Sequence, residues 1–369
     1  MSDKPKGKVH HGLMVAGGGT GGHVFAGVAV ADAWRIQFGG QAPIVFVGAE
    51  GRIEEKLVPR AGYPLKLLKL GSLKRVTLAR RLKTFYQLPI SLLRSAAFIL
   101  KHQPEAVLGV GGFASGPLVL MARILRFLHL SHSQTAILEQ NSVPGFTNRV
   151  LGRFVDRVFC AFPGTEKEFP NQNVLMTGNP IRSVMSRLPS AKRDPFTVFV
   201  FGGSQGAMGI NTMVIEALPF LTDLKQRLRI IHQTGEFDYE RMVEGHQKAG
   251  THARVEKFIH EMAAAYAESS LLICRSDAST LAEIAAVGRA AVLIPLPTAS
   301  DNHQEKNARV FSDSGAAFLL KQGPGSGAAL AKLIREAVEN PARIDQIENA
   351  VTAFYRPNAA RDIVEALNV

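Results

Sequence analysis

Two glycine-rich turns in this 369-residue chain have the composition of phosphate-binding loops. Residues 17–22 read GGGTGG and lead into His23, and residues 202–207 read GGSQGA and carry the hydroxyl of Ser204. Glycine lets the backbone approach a phosphate closely, and a helix that follows such a turn offers unpaired N–H groups and the positive end of its dipole. The sequence therefore predicts two phosphate sites. At each of them, a turn that serves only helix–strand packing is the alternative.

His23 stands where the first glycine turn passes into a predicted helix. Imidazole changes its protonation state near neutral pH, which suits it to act as a general base. A lone histidine is more often structural, but this one directly follows six loop residues, five of which are glycine. His23 is therefore a candidate general base, and a structural histidine is the alternative.

Hydroxyl, amide and carboxylate side chains follow two predicted strands of the second half. Ser279 and Thr280 fall at a helix start and offer donors to a diphosphate, while Glu283, about one turn further on, could accept both hydroxyls of a ribose. Gln304 belongs to an amide-rich run, residues 301–307, that suits sugar hydroxyls. The alternatives are a glutamate that complements the helix dipole and a solvated loop that caps a helix.

Strands and helices alternate along the chain, which predicts parallel α/β sheets. The strands predicted in the first half are residues 13–16, 44–47, 106–110, 136–138 and 157–159. Those predicted in the second half are residues 196–201, 229–233, 271–274 and 291–295, with helices at 262–267 and 281–287. These patterns favour two doubly wound units joined near residues 178–182.

Charge is distributed unevenly between the two halves. The chain has 43 Lys and Arg against 31 Asp and Glu, a net charge of +12. There are 23 basic and 10 acidic residues through Arg182, whereas the remainder has 20 and 21. The basic first half predicts an anionic partner, and the contrast between the halves supports two domains with different partners.

The excess of basic residues is concentrated in residues 56–104, which contain 11 basic residues and no acidic one. An apolar stripe flanked by cations lies within this stretch, and Pro89 is predicted to begin a further helix behind it. We predict a membrane-facing surface made of Leu78, Arg80, Arg81, Leu82 and Phe85. A core-facing stripe with a solvated basic face is the alternative. Nucleic acid is disfavoured as a partner, because no aromatic–basic interleaving accompanies the charge.

Composition and targeting signals exclude several classes of protein. With 46% hydrophobic and 20% charged residues, the chain is neither disordered nor collagen-like. The N-terminus lacks the apolar core of a signal peptide, and the longest uncharged run, residues 195–215, holds four glycines and is no membrane span. The two cysteines form no paired motif, which fits a reducing compartment. We therefore expect a cytoplasmic protein attached to a membrane surface.

Six motifs, in order along nearly the whole chain, resemble those of the MurG family. They are GGTGGH at 18–23, GGFASGP at 111–117, EQN at 139–141, GNPIR at 178–182, GGSQGA at 202–207 and the amide-rich run at 301–307. The resemblance implies an α/β protein of the GT-B fold, in which two Rossmann-like domains face a central cleft. It also implies inverting transfer of N-acetylglucosamine from UDP-N-acetylglucosamine to the C4 hydroxyl of lipid I (undecaprenyl-diphospho-muramoyl-pentapeptide), giving lipid II for peptidoglycan synthesis.

The resemblance further implies roles for single residues. Thr20, Gly21 and Gly22 match a loop placed against the sugar and the acceptor diphosphate, and His23 matches the family's proposed general base. Asn141 matches a contact to N-acetylglucosamine. The residues that match the donor site are Arg182 and Ser204 for the phosphates, Ile259 for uracil, Ala278, Ser279, Thr280, Leu281, Ala282 and Glu283 for the diphosphate and ribose, and Gln304 for the sugar hydroxyls.

Three positions depart from the family's pattern. Leu138 stands where the family usually has His, Ala26 where it usually has Pro, and Phe113 where Tyr is common. An accessory role of that His is therefore absent here, and the hydroxyl of the Tyr is not available to the acceptor. None of the three departures touches the residues matched to the donor.

The resemblance also implies the domain plan and the partners. Residues 1–182 with 358–369 would form the acceptor- and membrane-binding domain, to which the last helix returns, and residues 183–357 the donor-binding domain. The implied partners are UDP-N-acetylglucosamine, lipid I, an anionic membrane surface and other cell-wall synthesis and division proteins, at the cytoplasmic face of the bacterial inner membrane. No cofactor and no metal are expected, since the sequence has no Asp-x-Asp motif.

Three other functions remain as alternatives. A nucleotide-sugar epimerase of the same fold would share Ser204 and Glu283 but would not need the basic apolar surface. A non-catalytic, membrane-bound sensor would bind a UDP-sugar without turnover. An NAD dehydrogenase would use the G-x-G-x-x-G pattern of the first turn, but it would leave the phosphate-type loops of the second half unexplained.

Overall fold

The computed structural model describes residues 11–70, 78–170, 173–181, 188–189, 193–203 and 205–368, without the side chains of residues 78–86. The chain divides into two compact units. The first unit is Met1–Arg182 with Asn358–Val369, and the second unit is Ser183–Pro357. Among the described residues, no helix combines the length and apolar composition needed to cross a bilayer.

In its described part, the first unit contains a sheet of seven parallel strands in the order β3-β2-β1-β4-β5-β6-β7. The strands are β1 (Leu13–Gly17), β2 (Ile44–Ala49), β3 (Leu65–Leu68), β4 (Ala106–Gly111), β5 (Gln134–Glu139), β6 (Arg157–Cys160) and β7 (Val174–Met176). The central strands are short apolar runs because helices cover both faces of the sheet.

The helices of the first unit form two layers. They are α1 (Gly21–Phe38), α2 (Glu54–Arg60), α3 (Leu78–His102), α4 (Ser115–Phe127), α5 (Phe146–Leu151) and α13 (Ala359–Ala366). On one face, Ile363 and Leu367 at the C-terminal end of the chain share a core with Trp34 of α1. On the other face, Ile99 of α3 and Leu118 of α4 share a second core.

The prediction that Pro89 begins a new helix is wrong, because α3 runs through this residue from Leu78 to His102. Proline removes one backbone hydrogen bond from a helix interior. Pro89 itself is exposed, so its ring lies on the solvent side of the helix. The helix is held beyond it by buried residues, including Ser91, whose Oγ donates to the carbonyl of Lys69 at 3.1 Å.

The described part of the second unit has a sheet of six parallel strands in the order β10-β9-β8-β11-β12-β13. The strands are β8 (Phe196–Phe201), β9 (Leu228–Gln233), β10 (His252–Glu256), β11 (Leu271–Cys274), β12 (Ala291–Leu293) and β13 (Phe318–Leu319). The helices are α6 (Met208–Ala217), α7 (Tyr239–Ala249), α8 (Met262–Glu268), α9 (Ala278–Val287), α10 (His303–Asp313), α11 (Ser326–Glu339) and α12 (Pro341–Thr352). Two Rossmann-like units confirm the predicted fold class.

Candidate functional site

The first glycine turn leaves the carboxyl end of β1 and orients His23. Thr20 is the N-cap of α1, and its Oγ1 accepts the N–H of His23 at 3.5 Å. Nδ1 of His23 lies 3.0 Å from the carbonyl oxygen of Gly18. Because a carbonyl only accepts, Nδ1 must carry the hydrogen, and Nε2 of the neutral ring is then the nitrogen with a free lone pair. The turn therefore presets the tautomer that a general base needs.

A second glycine turn, after β4, packs directly against the first. Gly111 accepts the N–H of Gly18 at 3.2 Å and has a φ of +107°. A Cβ on Gly111 would lie 2.7 Å from Nε2 of His23, and one on Gly112 would lie 2.3 Å from the carbonyl oxygen of Gly18. Glycine is thus required at both positions by the close approach of the two turns.

Glu54 supports the first turn from behind, and the sequence analysis missed it. Its side chain is 1% exposed, and its carboxylate accepts the N–H groups of Gly19 at 2.8 Å and Ala49 at 3.0 Å. A Cβ on Gly18 would lie 2.1 Å from this carboxylate. In the sequence, Glu54 resembles an ordinary acidic residue in the first turn of a helix, so only the contact across 35 residues identifies it.

Asn141 lies on the loop after β5, at the same carboxyl edge of the first sheet. The buried carboxylate of Glu139 accepts from the backbone N–H of Asn141 at 2.9 Å, from its Nδ2 at 3.2 Å and from Nδ2 of Asn148 at 2.9 Å. Gln140 donates to the carbonyl of Val110 at 3.0 Å and so ties this loop to β4. The loop that carries Asn141 is therefore held firmly by its own EQN motif.

The turn after β8 is the corresponding loop of the second unit. Gln233 donates to the carbonyl of Gly203 at 2.9 Å and accepts the N–H of Ile259 at 2.8 Å, so it links this turn to the segment after β10. Ile259 itself is 3% exposed. The two predicted phosphate contacts, Arg182 and Ser204, lie outside the described residues.

Helix α9 begins at Ala278, directly after β11. The first N–H groups of a helix have no partner within it, and here these groups belong to Ala278, Ser279 and Thr280. Leu281 is fully buried, and its N–H donates to the carbonyl of Asp277 at 3.0 Å, so this residue fixes the helix start by packing.

Further along α9, Ala282 and Glu283 are partly buried. One carboxylate oxygen of Glu283 accepts the hydroxyl of Tyr266 at 3.0 Å. Tyr266 is fully buried and was not singled out in the sequence analysis.

Gln304 joins the start of α9 to the loop after β12. Its Nε2 donates to Oδ1 of Asp277 at 2.8 Å, and its Oε1 accepts the N–H of Leu296 at 2.8 Å. Its backbone carbonyl also accepts the hydroxyl of Ser276 at 2.8 Å. The side chain is 5% exposed, so its first role is to lock two loops of the site together.

In each unit, the described glycine turns and helix starts that hold candidate residues follow the carboxyl ends of parallel strands. Residues 17–23 and 111–117 flank the point where the order of the first sheet reverses, between β1 and β4. Residues 202–203, 205–207 and 275–283 flank the equivalent point between β8 and β11. Such switch points are where doubly wound sheets bind nucleotides and related ligands. Among the described residues, no cluster of His, Cys, Asp and Glu is placed to hold a metal ion.

The predicted membrane-facing residues Leu78, Arg80, Arg81, Leu82 and Phe85 lie on the first turns of α3, and their side chains are outside the described part of the chain. An exposed apolar surface lies on the neighbouring helices α4 and α5. It is formed by Leu120, Ile124 and Phe127 of α4, by Phe146 and Val150 of α5, and by Phe154, three residues after the end of α5. A Cβ on Gly116 of α4 would lie 3.4 Å from the methyl of Thr147 on α5, so the two helices start side by side. We call these six residues the α4–α5 surface.

Two Rossmann-like units with loops of this kind are the architecture of the GT-B fold. The model of the glycosyltransferase family 28 N-terminal domain matches residues 13–160, and that of the family 28 C-terminal domain matches residues 197–366. The chain therefore belongs to glycosyltransferase family 28 and, within it, to the MurG family.

Similar proteins cover nearly the whole chain. A relative from Anaeromyxobacter sp. (strain Fw109-5) is 42% identical over 359 residues, which are 96% of this chain and 92% of the relative. It is named UDP-N-acetylglucosamine--N-acetylmuramyl-(pentapeptide) pyrophosphoryl-undecaprenol N-acetylglucosamine transferase. A relative from Myxococcus xanthus (strain DK1622) has the same name and is 42% identical over 356 residues, with 96% of this chain and 91% of the relative covered.

The fold of this chain is similar to that of a solved structure from the same family. The crystal structure of Acinetobacter baumannii MurG has a TM-score of 0.78 and 29% identity, covering 97% of this chain and 99% of that one. UDP-GlcNAc 2-epimerase from Neisseria meningitidis, with a TM-score of 0.65 and 11% identity over 97% of this chain and 99% of that one, shares the fold alone.

Proposed function

We propose that this protein transfers N-acetylglucosamine from UDP-N-acetylglucosamine to the C4 hydroxyl of lipid I, with inversion at the anomeric carbon, and so makes lipid II. The observation that carries the proposal is 42% identity over 96% of the chain to relatives named for this transfer. The geometry of the switch-point loops in each unit supports it. The epimerase alternative is not favoured, because the epimerase structures share only the fold.

In the proposed mechanism, His23 takes the proton from the acceptor hydroxyl. Its Nδ1 donates to Gly18, which leaves Nε2 to accept the proton as the sugar C1 gains oxocarbenium character. The loop residues Thr20, Gly21 and Gly22 then lie against the acceptor diphosphate and the sugar. Asn141, on the loop held by Glu139, would contact the N-acetylglucosamine being transferred.

The leaving UDP gathers negative charge in the second unit. The free N–H groups at the start of α9, with Ser204 and Arg182, are proposed to stabilise that charge. Glu283 would bind the ribose, the segment at Ile259 the uracil, and Gln304 the sugar hydroxyls. The side-chain NH₂ and carbonyl of Gln304 each already make one hydrogen bond within the protein. The ligand would therefore bind the second N–H and the second carbonyl lone pair of Gln304.

A transfer assay tests the reaction itself. Radiolabel from UDP-[¹⁴C]N-acetylglucosamine should move into a butanol-extractable lipid only when lipid I is present. His23→Ala should lower kcat by about 10²–10⁴-fold while the Kd of UDP-N-acetylglucosamine stays unchanged. The exposed His132 gives a matched control, since His132→Ala should leave kcat unaltered. Near-native kcat in His23→Ala would remove the proposed base.

We also propose that the first unit docks peripherally on the anionic cytoplasmic face of the bacterial inner membrane, where cell-wall synthesis and division proteins would be its neighbours. The α4–α5 surface supports this, because Phe127 is 79% and Phe146 is 74% exposed. The cations Arg149 and Arg153 are exposed beside Phe146 and Phe154 along the chain. Each cation near an anionic surface adds on the order of 1 kcal/mol.

Vesicle binding tests the docking proposal in two variants. One replaces Leu82 and Phe85 by Ser and reverses Arg80 and Arg81 to Glu, and the other replaces Phe127 and Phe146 by Ser. Both should lose binding to phosphatidylglycerol vesicles. Phe237→Ser changes a residue of the second unit that is 91% exposed and should bind normally. Retained binding in both variants would refute the proposed docking surface.

A further inference from the structure

We propose that Tyr266 is a positioning residue through which the donor site selects a nucleotide with intact ribose hydroxyls. The inference rests on the proposed function, in which Glu283 accepts those hydroxyls. It assigns a specificity role to a side chain that itself does not touch the ligand.

The hydroxyl of Tyr266 donates to Oε2 of Glu283 at 3.0 Å. Glu283 is a long side chain near a helix start, and unaided it would populate several rotamers. A carboxylate that must accept two neighbouring hydroxyls needs its plane held in one orientation. The bond from Tyr266 fixes one oxygen of Glu283, and with it the direction in which the carboxylate presents its remaining lone pairs.

Tyr266 can position Glu283 because its own ring is held rigidly. The side chain is fully buried, and its ring makes edge contacts with Phe199 and Phe201 of β8, with centroids 5.8 Å away in both cases. Aromatic edge contacts of this kind are directional. The ring therefore cannot swing to follow a displaced Glu283.

The backbone of Tyr266 is fixed as well, by a buried cation. Arg289 is 2% exposed, and its Nε donates to the carbonyl of Tyr266 at 3.3 Å. Its Nη2 donates to the carbonyl of Pro189 at 2.7 Å. Ser269 donates its hydroxyl to the same carbonyl of Tyr266 at 2.8 Å. The ring, the carbonyl and the hydroxyl of Tyr266 are therefore each held by a separate contact.

If the Tyr266 hydroxyl positions Glu283, its removal should affect the affinity for one nucleotide and not for another, which the loss of a merely structural hydroxyl would not do. Removing the hydroxyl should weaken the bonds from Glu283 to the ribose, because the carboxylate must then be ordered at the moment of binding. A nucleotide without ribose hydroxyls does not use Glu283, so its affinity should stay the same. The ratio of the two affinities isolates positioning from folding.

The test is isothermal titration of the full-length protein with UDP and with 2′,3′-dideoxy-UDP. For the unaltered protein we expect tighter binding of UDP. Tyr266→Phe keeps the ring and should lower this preference roughly tenfold, the scale of one charge-assisted hydrogen bond, with the Kd of the dideoxy nucleotide unchanged. Tyr63→Phe is the matched control, because it removes a buried tyrosine hydroxyl that donates to Asp32 in the first unit. That control should keep the full preference for UDP.

Each other outcome counts against the inference. An equal loss of affinity for both nucleotides in Tyr266→Phe, or no change in their ratio, assigns the hydroxyl to folding alone and overturns it. Equal binding of UDP and dideoxy-UDP by the unaltered protein overturns the role of Glu283 and therefore that of Tyr266. Absence of any UDP binding by the unaltered protein overturns the proposed function as a whole.

Discussion

At the scale of single residues, the site depends on buried carboxylates that hold backbone loops. Glu139 accepts N–H groups in the first unit's EQN loop, and Glu54 does the same behind the first glycine turn. Hydrogen bonds to an ionised carboxylate are stronger than those between neutral groups. Both side chains are buried, so they act on the candidate site through the loops that they hold.

Glu54→Gln should slow transfer without weakening donor binding. The glutamine amide has the same size as the carboxylate, but it has only one acceptor oxygen. Its NH₂ group would therefore face the backbone N–H of either Gly19 or Ala49, and that hydrogen bond would be lost. The turn that orients His23 is then displaced, and we expect kcat to fall roughly tenfold, as for the loss of one charged hydrogen bond. Steady-state kinetics should show the KM for UDP-N-acetylglucosamine unchanged.

Glu55→Gln is the control for this prediction, since Glu55 accepts the N–H of Gly51 at 2.6 Å in an exposed position on the same helix. It should retain full activity. If Glu54→Gln lowered the melting temperature but kept kcat, Glu54 would serve stability alone.

Motif residues could be predicted from the sequence, whereas residues that act through others could not. His23 and Glu283 belong to local patterns whose composition and spacing suggest their chemistry, and their roles stay predictions. Glu54 and Tyr266 reach their partners across 35 and 17 residues, and nothing near them in the sequence marks those contacts. Only the folded chain brings these pairs together.

At the scale of elements, the central strands were predictable and the edge strands were not. The four strands that the sequence analysis missed, β3, β7, β10 and β13, are the outermost strands of the two sheets. An edge strand is paired on one side only and is partly exposed. Charged residues interrupt β3 and β10, whereas β7 and β13 are apolar but only three and two residues long. The signal that identified the buried strands is therefore weaker at the edges.

Helix α13 packs into the core of the first unit. The rest of that unit, Met1–Arg182, comes much earlier in the chain. Ile363 is fully buried against α1 in that core. Ile363→Ala should destabilise the first unit by about 2–5 kcal/mol, because it removes buried methyl groups and leaves a cavity. Urea denaturation followed by the fluorescence of Trp34, which lies in the same core, measures this loss.

Arg361→Ala provides the control on the same helix, as the Arg361 side chain is 60% exposed. We expect it to change the free energy of unfolding by less than about 0.5 kcal/mol. Equal stability of the Ile363→Ala variant and the unaltered protein would mean that α13 is dispensable for the first unit.

At the scale of the whole molecule, the net charge follows the division into units. Residues 183–357 carry 19 basic and 19 acidic residues, so the entire net charge of +12 belongs to the first unit. A neutral unit and a strongly basic one suit different ligands. This agrees with the proposal that a nucleotide-sugar binds the second unit and an anionic surface the first.

Stability of the second unit should fall at acid pH because it buries two neutral histidines. Burial, together with the neighbouring His246, lowers the pKa of His232 to about 3, and burial lowers that of His246 to about 4. Nδ1 of His232 lies 3.1 Å from Nε2 of His246, and Nε2 of His232 lies 3.0 Å from the side-chain oxygen of Asn211. The charged groups that act on His232 are Asp238 and Arg241, which bond each other.

The sign of the effect follows from proton uptake. In the unfolded chain both imidazoles bind protons below about pH 6.5, whereas the folded unit binds them only near pH 4 and below. As pH falls from 6.5 to 4, the unfolded state is therefore favoured, by on the order of 1 kcal/mol per pH unit for each histidine. Thermal denaturation at pH 7, 6 and 5 should show a steadily falling Tm.

His246→Gln isolates this contribution, since glutamine can still bond His232 or Thr251 but does not titrate. Its Tm at pH 7 will be lower, but the decrease in Tm between pH 7 and pH 5 should be smaller than in the unaltered protein. His252→Gln replaces an exposed histidine of the same unit, outside the buried pair, and should keep the full decrease. If His246→Gln lost as much stability on acidification as His252→Gln, acid sensitivity would have to come from the self-repulsion of the basic first unit instead of from the buried pair.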